Sequence, residues 1–168
     1  GLVVCGTTGE YSTMTDDENE RVFQIVKDTV GSRAKIIAGV GSNDTAHTIE
    51  LAHRAEKVGV DGLLVVTPYY NKPTQAGLLA HTRAIADAAK LPILLYDIPG
   101  RTATPFAVDT LIALADHERI LDWRVTCEGA VFGDLFLDGG GDRINTMTVH
   151  GPVDRLEILN PGGLYGTV

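Results

Sequence analysis

The sequence predicts an α/β fold in which a parallel sheet is covered by helices on both faces. One observation is a series of short apolar runs rich in β-branched residues, at Leu2 to Cys5, Lys35 to Val40, Gly62 to Thr67, Pro92 to Tyr96 and, less clearly, Arg119 to Trp123. They are continuous rather than alternating, the pattern of strands buried on both faces. A second observation is their spacing of about 30 residues, the length of a strand plus a crossover helix. A third is that amphipathic helical patterns fill the intervals. Such a chain is either a doubly wound sheet or a (β/α)8 barrel. The first strand is not followed by the G-x-G-x-x-G turn of dinucleotide folds, and the unusual polar residues collect where strands end, as in a barrel.

In chain order, Leu2 to Cys5 is the first strand. It starts without an initiator Met, a basic n-region or a cleavage site, so earlier elements of the fold are expected to be absent. The helix predicted over Thr15 to Val30 opens on Thr15-Asp16-Asp17-Glu18, a capping box. It sets Val22, Ile25, Val26 and Val30 on one face and stops at Gly31. Asn43-Asp44-Thr45 offers cap residues for a helix over Ala46 to Val58, with Ile49, Leu51, Ala52 and Ala55 inward and Gly59 beyond its end. Pro73-Thr74 precedes an Ala- and Leu-rich helix over Gln75 to Lys90. A helix over Pro105 to Asp116 is predicted to begin at its proline, where a missing amide donor is tolerated.

At 168 residues and 17.9 kDa the chain has room for one domain with a real core. A hydrophobic fraction of 44% excludes disorder, and the longest apolar runs are too short to span a membrane. A net charge of -8 without a Lys/Arg stripe leaves no electrostatic footprint for nucleic acid and points to a small-molecule or protein partner. Cys5 and Cys127 form no disulfide framework and read as reduced thiols of a cytoplasmic protein.

Three loops carry chemistry. Gly6-Thr7-Thr8-Gly9-Glu10 follows the first strand; its glycines allow close approach, and its amides and hydroxyls suit a small anion, although a tight turn into a capped helix explains it equally well. Thr67-Pro68-Tyr69-Tyr70-Asn71-Lys72-Pro73 follows the third strand, its adjacent tyrosines suited to a site or to a subunit contact. Tyr96-Asp97-Ile98-Pro99-Gly100-Arg101-Thr102 ends the fourth. Its phenol and guanidinium suit proton transfer and carboxylate recognition, or else a core tyrosine and a surface arginine on a Pro-Gly turn. Metal binding finds little support. His47 and His53 do not share a helix face, His81, His117 and His150 lack partners at ligand spacing, and Asp16, Asp17 and Glu18 complement a helix dipole.

Together GTTGE, VVTPYYNKPTQ and LLYDIPGRT, at these intervals, resemble the dihydrodipicolinate synthase family, among the pyruvate-dependent, Schiff-base-forming barrel enzymes that include N-acetylneuraminate lyase. The resemblance covers roughly the first 120 residues. It implies a partial (β/α)8 barrel of parallel strands two to about six with crossover helices. The implied reaction condenses pyruvate with aspartate semialdehyde in lysine biosynthesis, without metal or organic cofactor, in a homo-oligomer when the family's chain is intact. Residue by residue, it implies a proton relay of Thr7, Tyr96 and Tyr70, the last reaching in from a neighbouring subunit. Thr8 would hold the pyruvate carboxylate and Arg101 the second substrate's carboxylate, a position that favours the synthase over a sugar-acid lyase. Thr7, Thr8, Tyr96 and Arg101 are then expected on one end of the sheet and Tyr70 exposed.

Where the family carries its nucleophilic lysine, this chain has Arg124, and no lysine follows Lys90. A guanidinium stays protonated and forms no imine at neutral pH. Lys27, Lys57 and Lys90 fall on predicted helices, Lys35 starts a strand at its far end, and Lys72 sits in the tyrosine loop. The resemblance divides the chain at 1–124, synthase-like, and 125–168, whose glycine run 139–141 and short alternations at Thr146 to Val149 and Leu156 to Leu159 make at most weak strands. A frameshift near Ile120 or a divergent tail explains the break. Two rival readings are a different 2-keto acid aldolase or lyase, and an inert fragment acting as an interaction module.

Overall fold

The computed structural model describes residues 1–120 and, as backbone, three short strands at 123–126, 146–147 and 155–158. Strand β1 (Leu2–Val4) leads to helix α1 (Asp16–Val30), then β2 (Ile36–Gly39), α2 (Thr45–Val58), β3 (Gly62–Val66), α3 (Gln75–Ala88), β4 (Ile93–Tyr96), the four-residue helix α4 (Pro99–Thr102) and α5 (Val108–Ala115). Strands β5 (Trp123–Thr126), β6 (Thr146–Met147) and β7 (Arg155–Ile158) follow. Strands β1 to β4 are neighbours in sequence order and all parallel, with Val3 beside Ile37, Ala38 beside Leu63 and Val66 beside Tyr96. Consecutive parallel strands with a helix in each crossover are the repeating unit of the barrel, of which this chain builds a part.

Local chemistry sets the helix ends. Thr15 and Glu18 form the capping box: the Thr15 side chain accepts the Glu18 amide, and Glu18 Oε2 accepts the Thr15 amide at 2.7 Å. Asp44 caps α2 through the His47 amide at 2.8 Å, and Thr74 caps α3 through the Gly77 amide. The acidic first turn of α1 also works across helices. Arg54 of α2 reaches Asp17 at 2.7 Å and Glu20 at 3.2 Å, and His47 meets Asp16 at 3.0 Å. The core runs between sheet and helices through Phe23, Ile36, Leu51, Leu63, Leu78, Ile85, Ile93 and Leu114, each at most 4% exposed.

Two elements differ from the sequence expectation. The last helix starts at Val108, not at Pro105, because the backbone before it is claimed by distant side chains: Asp97 takes the Phe106 amide and Gln75 takes the Ala107 amide. The helix-start proline is instead Pro99, at the head of α4. The strand predicted over Arg119 to Trp123 is not a fifth member of the parallel sheet. Among the described residues its contact with β4 is limited to Arg119, whose carbonyl accepts the Ile93 amide, and Ile120, which bridges Ile93 in parallel; β5 pairs antiparallel with β7, and β6 takes the edge beside Leu95 and Tyr96. Asp122 and Arg124 interrupt the apolar run that an interior parallel strand requires. The glycine run 139–141 and His150 lie outside the described residues. Among the described residues no helix is long and apolar enough to cross a membrane.

Candidate active site

The carboxyl ends of β1, β2, β3 and β4 open onto a small cleft, with room for little more than a water molecule, that is continuous with solvent. It is lined by Thr7, Tyr11 and Tyr96, by the apolar Leu64 and Val66, and by Gly39 and Gly41. The chain enters this space by a sharp bend. Cys5 adopts φ 56°, in the left-handed region, which turns the backbone across the end of β2. A Cβ on Gly39 would stand 2.2 Å from the Cys5 carbonyl oxygen, and one on Gly41 would stand 2.3 Å from the Val66 amide. Glycine is required at both because neighbouring backbone occupies the place of a side chain.

Past the bend, Thr7–Gly9 forms a 3₁₀ turn in which Gly9 donates to the Gly6 carbonyl at 2.8 Å and Glu10 to the Thr7 carbonyl at 3.1 Å. Glu10 is left-handed, φ 57°, and a second 3₁₀ turn over Tyr11–Thr13 leads to α1. Thr8 lies in the first of these turns. Tyr11, which sequence reasoning did not single out, donates its hydroxyl to the Gly41 carbonyl at 2.6 Å. Burial pushes its phenol well above the ordinary value, and the Tyr69 hydroxyl beside it adds to the shift. Tyr11 therefore acts as a protonated donor tying the Thr7 turn to the end of β2. The only signal for it in the sequence is an aromatic directly after GTTGE. Cys5 lines the same cavity, its thiol pushed up to about 11 by burial, which keeps it protonated and unreactive.

Tyr96 closes β4, three strands from Thr7 in sheet order, yet both line the one cavity. Arg101 follows on α4, at the same end of the sheet, and is exposed. Tyr70 stands elsewhere. It is 89% exposed, at the centre of a tight turn in which the Asn71 amide bonds the Tyr69 carbonyl at 2.8 Å, and its φ of 70° is strained for a non-glycine residue. Asn71 anchors that turn to the Asn43 carbonyl at 3.0 Å. The structure thus places Thr7 and Tyr96 on one cleft, keeps Thr8 and Arg101 at the same end of the sheet, and presents Tyr70 outward.

Two further titratable groups are buried, and Asp97 adjoins Tyr96. His81 of α3 bonds the Thr45 hydroxyl at 2.8 Å, and burial lowers its pKa against the opposing pull of Asp44. Asp97, next to Tyr96, is 7% exposed and accepts the Phe106 amide at 3.2 Å, while its Oδ1 has no hydrogen-bond partner among the described residues. Burial raises its pKa, partly offset by that amide. A raised folded-state pKa means that the neutral acid is favoured by folding. Its contribution to stability is complete below the unfolded value of about 4 and is lost as pH rises through the folded value. Asp97→Asn keeps an acceptor for Phe106 without the charge, so the variant is expected to be the more stable chain at pH 8, with the difference shrinking toward pH 4. Urea midpoints at the two pH values measure this; a variant less stable than the parent at pH 8 contradicts it. Among the described residues no three His, Cys, Asp or Glu side chains are grouped so as to hold a metal ion.

Comparison with known proteins agrees with this geometry. The dihydrodipicolinate synthetase family model matches residues 1–129. The 4-hydroxy-tetrahydrodipicolinate synthase of Acidothermus cellulolyticus is 65% identical over 121 residues, covering 72% of this chain and 39% of the relative; that of Cutibacterium acnes is 63% identical, covering 72% and 41%. The crystal structure of the chloride-inhibited dihydrodipicolinate synthase of Acinetobacter baumannii complexed with pyruvate superposes with a TM-score of 0.70 at 46% identity, covering 71% of this chain and 41% of that one. The chain thus spans about two fifths of the length of these relatives. By the matched family, the sequence identity and the partial barrel, the chain belongs to the dihydrodipicolinate synthetase family.

Proposed function

We propose that this chain carries the keto-acid half of a site for condensing pyruvate with aspartate semialdehyde. The observation that carries the reading is the convergence of Thr7 and Tyr96 on one cavity, from strands that are not neighbours. Carbon–carbon bond formation through an imine moves protons on and off nitrogen, oxygen and carbon. Linked hydroxyls pass them along without burying a charge. Thr7 and Tyr96 are two members of that relay, and Tyr70, strained and outward-facing, is the member offered to the site of a second copy. Thr8, in the 3₁₀ turn after β1, receives the pyruvate carboxylate. Arg101 receives the carboxylate of the semialdehyde through a two-pronged charge-assisted bond, a group that a sugar-acid lyase has no use for. Residues 1–124 are the synthase-like part, and 125–168 are a tail of different sequence. Arg124 occupies the place of the imine-forming lysine, so the chain binds without turning over. The free Cys5 thiol fits a cytoplasmic setting.

The test is a pyruvate titration followed by amide resonances of the full chain. Thr7 and Gly9 are expected to shift, and Thr8→Val to weaken binding about tenfold, the value of one hydrogen bond to a charged group. Pyruvate binding that is indifferent to Thr8→Val removes the reading.

A further inference from the structure

The segment between β4 and α5 carries Arg101, and side chains from outside its tip hold it at both limbs. At its base Asp97 Oδ2 accepts the Phe106 amide at 3.2 Å. At its far limb Gln75, the first residue of α3, makes three bonds. Its Oε1 accepts the Ala107 amide at 2.8 Å and the Thr110 hydroxyl at 2.7 Å, and its Nε2 donates to the Pro105 carbonyl at 2.9 Å. Within the loop the Thr102 hydroxyl is shared between the Ile98 and Thr104 carbonyls, at 3.1 and 3.3 Å.

These bonds fill a local deficit. Ala107, the residue before α5, has no side chain with which to cap the helix. Gln75 supplies the missing acceptor from another helix. It also supplies a donor for Pro105, which an acidic residue would not. Asp97 spans nine positions to reach Phe106 and is itself immobilised by burial next to Tyr96. The loop tip, in contrast, is open: Gly100 has no atom near its missing Cβ, and Ala103 turns at φ 58°. An exposed arginine on such a tip has a defined place only if the two limbs beneath it are fixed.

We infer that Asp97 and Gln75 are positioning residues for a carboxylate ligand: together they hold segment 97–107 so that Arg101 stands at the end of the sheet carrying Thr7 and Tyr96, a role that rests on Arg101 being the carboxylate anchor. Asp97 serves through the acceptor oxygen it offers Phe106. Asn replaces it in this role and Ala does not.

The experiment uses the full 168-residue chain, with succinate as a four-carbon carboxylate probe. It follows the Arg101 Nε–H resonance and the exchange rates of the Phe106 and Ala107 amides. Gln75→Ala is expected to speed exchange at Ala107 by about tenfold, Asp97→Ala to do the same at Phe106, and each to weaken succinate binding by about fivefold. Asp97→Asn is expected to match the parent in both readouts. Parent and variants that bind succinate alike overturn the positioning role, as does an Asp97→Asn chain that behaves like Asp97→Ala. A parent chain whose Arg101 resonance ignores succinate while pyruvate still shifts Thr7 removes the Arg101 anchor and this role together, leaving the keto-acid reading intact. Should Asp97→Ala fail to fold, Gln75→Ala at its half-buried site and Asp97→Asn decide the question.

Discussion

Gly39→Ala is expected to lower the stability of this chain by about 3 kcal/mol, the upper end of what overpacking does, and to lower Tm by roughly 10 °C. The added methyl group meets the Cys5 carbonyl oxygen at 2.2 Å and its carbon at 2.8 Å. Neither atom is the end of a flexible side chain, so the strand end or the bend above it must shift. The bend is the more yielding of the two, since Cys5 is already held at φ 56°. Relief through that bend moves Gly6 and the Thr7 turn away from Tyr96, and Gly39→Ala is therefore expected to weaken pyruvate binding as well. Gly100→Ala is the matched control. It sits in α4 with no atom within 4 Å of the new Cβ, so the substitution should change stability by less than about 1 kcal/mol in either direction. Thermal unfolding of the two variants beside the parent separates them; equal midpoints for Gly39→Ala and the parent contradict the close approach at the cleft.

The parts of this fold that were legible in the sequence are those whose causes are local. Thr15 and Glu18 announce the start of α1 because both halves of the capping box lie within four residues, and the structure places the helix one residue on. Asp44, Thr74, Gly31 and Gly59 mark helix ends for the same reason. Strands β2 to β4 are continuous apolar runs buried on both faces, a position that admits little else, whereas β1, equally apolar, leaves Leu2 and Val3 exposed. Pro105 misled because the force that keeps 105–107 extended comes from Gln75 and Asp97, tens of residues or a turn away, where no window of sequence sees it. The expected fifth parallel strand failed on its charges. Among the described residues only Arg119 and Ile120 reach β4, through the Ile93 amide and a parallel bridge to Ile93, and Asp122 and Arg124 break the apolar continuity of the sequence.

The candidate site divides along the same line. Thr7, Tyr96 and Arg101 were visible because hydroxyl and guanidinium groups directly after apolar runs stand at strand ends, and parallel strands put all such ends together. Tyr11 and Asp97 were not visible, because what makes them matter is burial and a partner on another element: the Gly41 carbonyl for one, the Phe106 amide for the other. Gly39 and Gly41 were equally silent, since an isolated glycine in a strand has several causes and only the crossing of Cys5 and Val66 selects among them. The sequence therefore names the polar groups at the carboxyl end of the sheet, and the tertiary structure names those that hold them there.

A mixture of this chain with pyruvate and borohydride is expected to yield no covalent adduct. Imine formation joins an amine nitrogen to the keto carbon with loss of water, and borohydride then reduces the C=N bond to a stable secondary amine. The first step needs an amine that releases its proton near neutral pH, which a lysine achieves in a desolvated or cationic setting. The described lysines are not so placed. Lys35 lies at the opposite end of the sheet from Tyr96, paired with Asp61 at 2.8 Å, Lys72 is exposed on the tyrosine loop, and Lys27, Lys57 and Lys90 belong to the helical layer or its margin. Arg124 remains a cation at any pH the chain survives. Removal of a covalent nucleophile lowers turnover by about 10⁴-fold or more while leaving binding groups in place, so condensation with aspartate semialdehyde should be undetectable in a preparation that still binds pyruvate. Intact-mass measurement after reduction reads the outcome directly. No gain of mass is expected, and a stoichiometric gain mapping to one lysine would assign the nucleophile to that residue and return this chain to the catalytically competent members of its family.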